Sequence, residues 1–479
     1  MKIPEPKNVR PYNQKQNLLF PPNLMDFIKN DALCMVIDDV VNTLDLSCLY
    51  GKVSHEGNMP YHPKMMLKVL FYSYASGIFS SRNIAKALGE NIALIYLAAW
   101  QRPDFRTINK YRLRHLKELE DLFVQIVLLC KKLKMIKLGH ISIDGSKFKA
   151  NASDRNTYDI ERIEKEMKHL LDKAAKIDQE EDAHYGLDKS GEELPEDIRD
   201  RDRRIKKLKE IQKHLDKPNK NKVNATDPDA VFMKTKSGIK TSYNAQASVD
   251  ETTQTIVAVD VTNESYDLDQ LMPMIEKTEQ NTDASIEILT ADAGYSSAEN
   301  LEKIEPLAID AYIPDDIYQS RKRGKKVPAF DKDNFIYNES TDTFTCPAGK
   351  ELSYWYTKQE KYGQYQVYLC KACKGCPHNG KCTTSKKGRS IWRRVVDEKI
   401  KAMRLKLDSE SGKAIYGKRM YIVEPVFGHI KSVLGFRSFH LRSLAKVKGE
   451  FNLIAIAHNL KKISKYGYKK GLGLTPVEG

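Results

Sequence analysis

Apolar residues repeat at intervals of three and four through much of the first 135 positions. MMLKVLFYSYASGIF (65–79) reads as a compact helix closed by a glycine-containing break. SSRNIAKALGENIALIYLA follows as a helix, with Ser80 or Ser81 as N-cap and Ala85, Leu88 and Ile92 at helical spacing. Leu116, Leu119, Leu122, Phe123, Ile126 and Leu129 mark a longer amphipathic helix. At HISIDGSKFKA (140–150) the period changes. Ile141 and Ile143 alternate with polar neighbours, which predicts a short strand ending near Asp144, although Asp-Gly is also a common hairpin turn. Residues 236–250 and 255–263 read as two strands joined around Asp250 to Thr253. A helix over Asp267 to Gln280, a strand ending at Asp292, a helix over Ala298 to Ile304 and a strand over Ala308 to Ile313 follow. That order predicts an α/β sheet, whose functional groups gather at strand ends.

Two stretches interrupt the alternation. From 155 to 222 the chain is highly charged, with Ile160, Ile163, Met167, Leu170, Ala174 and Ile177 in heptad-like steps, partly repeated by Ile205, Leu208, Ile211 and Leu215. This predicts a projecting helical hairpin that contacts DNA or a second subunit, or is a passive insertion. From 314 to 395 come Cys346, then Cys370-x2-Cys373-x2-Cys376 with His378, then Cys382. Thiols at this density, separated by short turns, fit a structural Zn²⁺, with an iron–sulfur cluster or plain reduced thiols as alternatives. Cys34, Cys48 and Cys130 stand singly among apolar residues and are expected in the core.

The periodic pattern then resumes. In YGKRMYIVEPVFGHIKSVLGF (416–436), Val423, Val426, Phe427, Ile430, Val433 and Leu434 fall on one helical face, with Glu424 and Lys431 along its edge. A surface Glu and Lys flanking an ordinary packing helix would look the same. Pro425 has no N–H and clashes with the carbonyl four residues back, so the helix either starts there or kinks. GEFNLIAIAHNLKKI (449–463) reads as a second packed helix, and the basic, glycine-rich end as a mobile tail.

Composition narrows the possible partners. The net charge is +15 over 479 residues. From Arg393 onward there are 19 Lys and Arg against 7 Asp and Glu, or +12, which leaves +3 for the rest. One cationic end points to a polyanion, nucleic acid first. Scattered Arg82, Arg102, Arg106 and Arg112 on short helices permit a helix-turn-helix-like DNA contact. No run approaches a membrane span, and MKIPEPKNVRPYNQKQ lacks an apolar signal core, so a cytoplasmic protein is expected, nucleoid-associated when bound to DNA.

Asp144, Asp292 and Glu424 stand at the ends of the first and a later strand and on a late helix. An RNase H-like sheet would cluster them, and clustered carboxylates need cations between them. Two Mg²⁺ (or Mn²⁺) ions about 3.5–4 Å apart would suit both the charge and phosphodiester chemistry. At these residues the chain resembles the DDE transposases of bacterial insertion sequences, and more narrowly the IS-eleven-eighty-two group. ISIDGSKFKANAS, TDPDAVFMKT with SYNAQASVD, TADAGYSS, and VEPVFGHIKSVLGFRSF with AHNL look like that group's blocks in its order. The resemblance spans nearly the whole chain, Cys-rich insertion included.

The resemblance implies that Asp144, Asp292 and Glu424 are the catalytic, metal-binding triad. It implies that Tyr416, Arg419 and Lys431 are the phosphate-binding partners of a Tyr-Arg-Glu-Lys signature. Four residues separate Arg419 from Glu424 where the wider signature has three, while the six between Glu424 and Lys431 agree. The implied activity is nicking of terminal inverted repeats and joining of 3′ ends to target DNA, by a homo-oligomer. A structure-selective nuclease on the same fold, or a catalytically dead DNA-binding protein, would share many of these features. Asp227 and Asp229 in TDPDA read as a proline-centred turn. The expected organisation is a helical, DNA-binding part over 1–135 and an RNase H-like core over 136–313, with the hairpin at 155–222. The Cys-rich insertion covers 314–395, the core's C-terminal helices 396–464, and the basic tail 465–479.

Overall fold

The computed structural model describes residues 23–52, 59–170, 172, 196–215, 222–235, 237–324, 329–360, 363–394 and 397–467. The fold is mixed α/β. Its main sheet has six strands: β1 (His140–Lys149), β2 (Val231–Thr235), β3 (Gly238–Asp250), β4 (Ile256–Thr262), β5 (Ile288–Ala291) and β6 (Asp310–Tyr312). β3 is the hub, pairing antiparallel with β1, β2 and β4. β1 pairs parallel with β5, and β5 parallel with β6. Along the inner path the order is therefore β4-β3-β1-β5-β6.

β3 keeps a two-residue alternation although Thr241 to Asp250 are all buried. Tyr243, Ala245, Ala247 and Val249 take one set of positions, and Ser242, Asn244, Gln246 and Ser248 the other. Buried polar side chains on a strand need partners, and two of these, Asn244 and Gln246, find them beside the candidate site described below.

The helix Leu444–Lys462 is buried from Gly449 to Leu460, and it joins the sheet to the N-terminal helices Pro63–Ala75 and Glu118–Lys132. A single hydrophobic cluster runs from Val36 through Phe71 and Phe123 to the strands and on to Ile463. At Gly449 the helix passes so close to Leu116 that a Cβ would lie 2.7 Å from its Cδ2. Asn459 braces the edge of β4, accepting from Ile256 N–H at 2.9 Å and donating to Ile256 C=O at 2.8 Å. His458 bonds Gln254 C=O and its ring meets that of His429, Nδ1 to Nδ1, at 3.0 Å. Burial drives the His429 imidazole down to about 4 and that of His458 to about 3, so both are neutral. The AHNL block therefore packs and braces.

Several sequence expectations need correction. β1 does not end at Asp144 and makes no hairpin turn there. It continues to Lys149, because β3 pairs with it along its whole length. The stretch 80–98 is two helices, Ser81–Ala87 and Ile92–Leu97. The Asn91 side chain caps the second by accepting from Ala93 and Leu94 N–H, while Ser80 stands at the first N-cap without a side-chain bond. The helix Phe105–Arg114, capped by Asp104, escaped the periodicity because its mean character is polar. The helix expected from Asp267 starts at Leu271, after a 3-10 turn over Leu268–Gln270. Cys48 is exposed, on a one-turn helix whose inward side chain is Leu49, whereas Cys34 and Cys130 are buried.

In the charged stretch, Ile163 packs with Leu208, Ile211 and Leu215, and Arg204 pairs with Glu166. Ile160 is exposed, and Ala174 and Ile177 lie outside the described residues, as does the tail from 468. The Cys-rich stretch forms its own five-stranded antiparallel sheet around Phe335, Phe344, Leu352 and Tyr368.

Candidate active site

Asp144 and Asp292 reach one level of the sheet through strand register. The last parallel pair between β1 and β5 is Ile143 with Ala291, so Asp292 begins where β5 stops and Asp144 sits beside it. Asp144 accepts its neighbour Gly145's N–H at 2.9 Å. Burial pushes its carboxyl up to about 6, with Asp292 and Asp267 adding to the rise and Arg419 opposing it.

Glu424 arrives from the C-terminal helices. The chain turns through a short helix Arg419–Ile422, breaks at Val423, and starts a new segment at Glu424–Gly428. Pro425 causes the break. It gives no N–H to Tyr421, and that carbonyl instead accepts from Gln254 Nε2 at 2.6 Å. The offset lets Arg419 face Glu424 across the kink. Arg419 Nη1 lies 3.3 Å from Glu424 Oε1, and its Nη2 lies 2.9 Å from Asp144 Oδ1. A guanidinium fork that meets two carboxylates on different elements fixes both. Arg419 is nearly buried, whereas half of the Glu424 side chain is exposed.

A π turn over His429–Val433 follows, closed by Leu434 N–H to His429 C=O at 2.9 Å. Its extra residue rotates the face, so Val433, expected in the core, is exposed, and Leu434 is buried. Lys431 is thereby turned onto β1. Its ammonium donates to Ser146 Oγ at 2.6 Å and Lys147 C=O at 2.9 Å, over the Phe148 ring. Tyr416 is buried. Gln319 joins it to Asp292, donating to Tyr416 OH at 3.1 Å and to Asp292 Oδ1 at 3.4 Å. Burial raises the Tyr416 phenol above its usual range.

Asp144, Asp292, Glu424, Arg419, Lys431 and Tyr416 thus lie in one neighbourhood. Sequence reasoning missed Gln319, which carries no motif, and Asp267, which it took for a helix start. Asp227 and Asp229 serve the start of the Leu444–Lys462 helix. Asp227 Oδ1 accepts from Ser443 N–H at 3.1 Å and Tyr243 OH at 2.8 Å, and Asp229 from Leu444 N–H at 3.0 Å.

In the Cys-rich sheet, Cys346, Cys370, Cys373, Cys376, His378 and Cys382 line one small cavity of about 20 Å³. Lys350 N–H points at Cys346 Sγ and Arg389 N–H at Cys373 Sγ, each at 3.3 Å. Among the described residues, no three His, Cys, Asp or Glu side chains are arranged to hold a metal ion, at this cavity or at the carboxylates. No described helix is long and apolar enough to cross a membrane.

Residues 345–464 match the family described as Transposase DDE domain, and residues 22–114 match Transposase domain (DUF772). The first match contains the six Cys and His side chains of the Cys-lined cavity and Glu424, and both aspartates lie outside the two matches. A comparison with curated proteins finds no match. The two matches indicate a transposase of the DDE type. Such enzymes act on DNA, belong to the nuclease and transesterase class, and generally use divalent metal ions.

Proposed function

We propose that this chain is the transposase of a bacterial insertion sequence of the IS-eleven-eighty-two group. In this reading it binds its element's terminal inverted repeats, nicks them and joins the freed 3′ ends to target DNA. The observation that carries the reading is the meeting of Asp144 and Glu424 on Arg419, with Asp292 at the neighbouring strand end. The order β4-β3-β1-β5-β6, with three antiparallel strands and then two parallel ones, supports an RNase H-like core.

The three carboxylates are not arranged as a metal site as they stand, but oxygen donors are the chemistry that divalent cations take, and a partly buried Asp144 beside a second carboxylate is relieved by added positive charge. Mg²⁺ or Mn²⁺, when bound by Asp144, Asp292 and Glu424, would supply Lewis-acid activation for phosphodiester chemistry. The chain's own residues orient the reactants. Arg419 holds Asp144 and Glu424 in register and faces a phosphate. Lys431 presents a second cation above β1, and Gln319 with Tyr416 steadies Asp292. With labelled end-fragment DNA and Mg²⁺, the wild-type protein is expected to nick at the terminus, and Asp144→Asn and Asp292→Asn to abolish nicking while still binding DNA. Nicking that survives either substitution removes that residue from the triad.

DNA contact is proposed for the N-terminal helices. One cleft is lined by Ser80, Ser81, Arg82, Arg106, Lys110 and His440, with no carboxylate among its described lining residues. Arg82 and Arg106 flank the Phe105 ring at 5.3 and 5.7 Å. The Cys-lined cavity is proposed to take one structural Zn²⁺, supported by its thiol-rich lining and by the two backbone N–H groups aimed at sulfur. Protein purified under reducing conditions is expected to carry about one zinc per chain by elemental analysis. Zinc-free protein with an intact Cys-rich sheet would refute this.

A further inference from the structure

Asp267 stands at the start of a helical turn, where an aspartate ordinarily accepts the N–H groups of its own helix. Here its side chain makes no such cap. It turns to the sheet instead. Oδ1 accepts from Asn244 Nδ2 at 2.6 Å and Gln246 Nε2 at 2.8 Å, and Oδ2 lies 3.3 Å from the Lys147 ammonium. The carboxylate occupies space left by two glycines. A Cβ on Gly145 would lie 2.6 Å from Asp267 Oδ1 and 2.5 Å from Gln246 Nε2, and one on Gly294 would lie 3.3 Å from Asp267 Oδ2. Gly145 directly follows Asp144, and Gly294 lies two residues after Asp292. Gln246 also accepts from the hydroxyl of buried Tyr295, next to Gly294.

From this juxtaposition we infer that Asp267 is a positioning residue for the aspartate pair. It wedges between the backbone after Asp144 and the backbone after Asp292. The Asn244–Gln246–Tyr295 network and Lys147 hold it there. Asp267 thereby sets the separation of the two carboxylates and their joint affinity for a divalent cation. The inference rests on the transposase reading for its chemistry, while the wedge itself is a property of the fold. A side chain at 145 would have to displace the Asp267 carboxylate and the Gln246 amide, which already fill its place. An Asp267→Asn amide would set its own donors against those of Asn244, Gln246 or Lys147.

The test uses the full chain. Mn²⁺ binding is measured by the loss of free-ion electron paramagnetic resonance, alongside thermal melting and single-turnover nicking of end-fragment DNA. Asp267→Asn is expected to weaken Mn²⁺ binding and slow nicking by about tenfold or more, the usual scale for residues that orient ligands. DNA affinity, which rests on cations that contact phosphate, should be unchanged. Lys147→Met keeps the wedge but removes its ion pair, and should act in the same direction if Asp267→Asn fails to fold. Gly145→Ala should lower the melting temperature, and Asp267→Ala added to it should recover part of that loss. Unchanged Mn²⁺ affinity in both Asp267→Asn and Lys147→Met overturns the inference, as does strict additivity of Gly145→Ala and Asp267→Ala. If wild-type protein binds Mn²⁺ but never nicks end-fragment DNA, the transposase reading fails, while the Mn²⁺ and melting measurements still decide the role of Asp267.

Discussion

Arg419 is the residue on which the candidate site turns. A buried guanidinium needs its N–H donors satisfied, and a pair of carboxylates from different elements needs positive charge between them. Asp144 and Glu424 meet it at 2.9 and 3.3 Å. The extra residue between Arg419 and Glu424, relative to the wider signature, does not separate them, because the break at Val423 folds the longer spacing back. In the proposed reaction, Arg419→Gln is expected to slow single-turnover nicking on the order of 10²-fold, the scale for losing one preorganised donor at a developing charge. Arg419→Lys should recover little, since an ammonium cannot span both carboxylates. A glutamine variant as fast as wild type would take Arg419 out of the chemistry.

At the scale of the element, the 419–433 segment is broken beside Pro425, as the missing N–H requires, and turns again through a π turn that its apolar spacing does not show. Proline at 425 divides it, Gln254 becomes the donor to the orphaned Tyr421 carbonyl, and the π turn re-aims Lys431. These devices place Lys431 on β1 and Glu424 against Arg419, where a straight helix would leave both along one edge. Pro425→Ala restores the missing N–H and favours a continuous helix. Its melting temperature is expected to match or exceed wild type, while nicking falls on the order of 10²-fold from misplacement of Glu424. Undiminished nicking would mean that the kink has no part in aiming the carboxylate.

For the whole molecule, charge and packing act together. The basic excess lies in the last 87 residues, yet the cleft with Arg82, Arg106 and Lys110 is on the N-terminal helices and takes in His440 from the C-terminal part. The Leu444–Lys462 helix packs against both the N-terminal helices and the sheet, so the cleft is tied through one core to the sheet that carries Asp144. DNA affinity is expected to fall steeply with salt, and Arg82→Ala, Arg106→Ala and Lys110→Ala together to flatten the slope by about 0.9 for each phosphate that is no longer neutralised. Filter binding across a salt series checks this. A slope equal to wild type would move the DNA path elsewhere.

Much of the fold was legible because period and burial are local properties. The alternation around Ile141 and Ile143, the hairpin strands before and after Asp250, and the heptad-like steps of Ile163 with Leu208 follow from which residues must leave water. Asp144, Asp292 and Glu424 were singled out as a set through the blocks that surround them, and the structure brings Asp144 and Glu424 onto Arg419. Other features depended on partners distant in the chain. β1 runs past Asp144 because β3, distant in sequence, pairs with it, and Ser142 is buried because Thr290 meets its hydroxyl. Asp267 reads as a helix start until Gly145 and Gly294 leave room for it between them. Local sequence thus determined the elements and the residue types of the site. The tertiary structure decided which carboxylate meets which cation, because hydrogen-bond satisfaction and steric fit are settled only when distant segments close on one another.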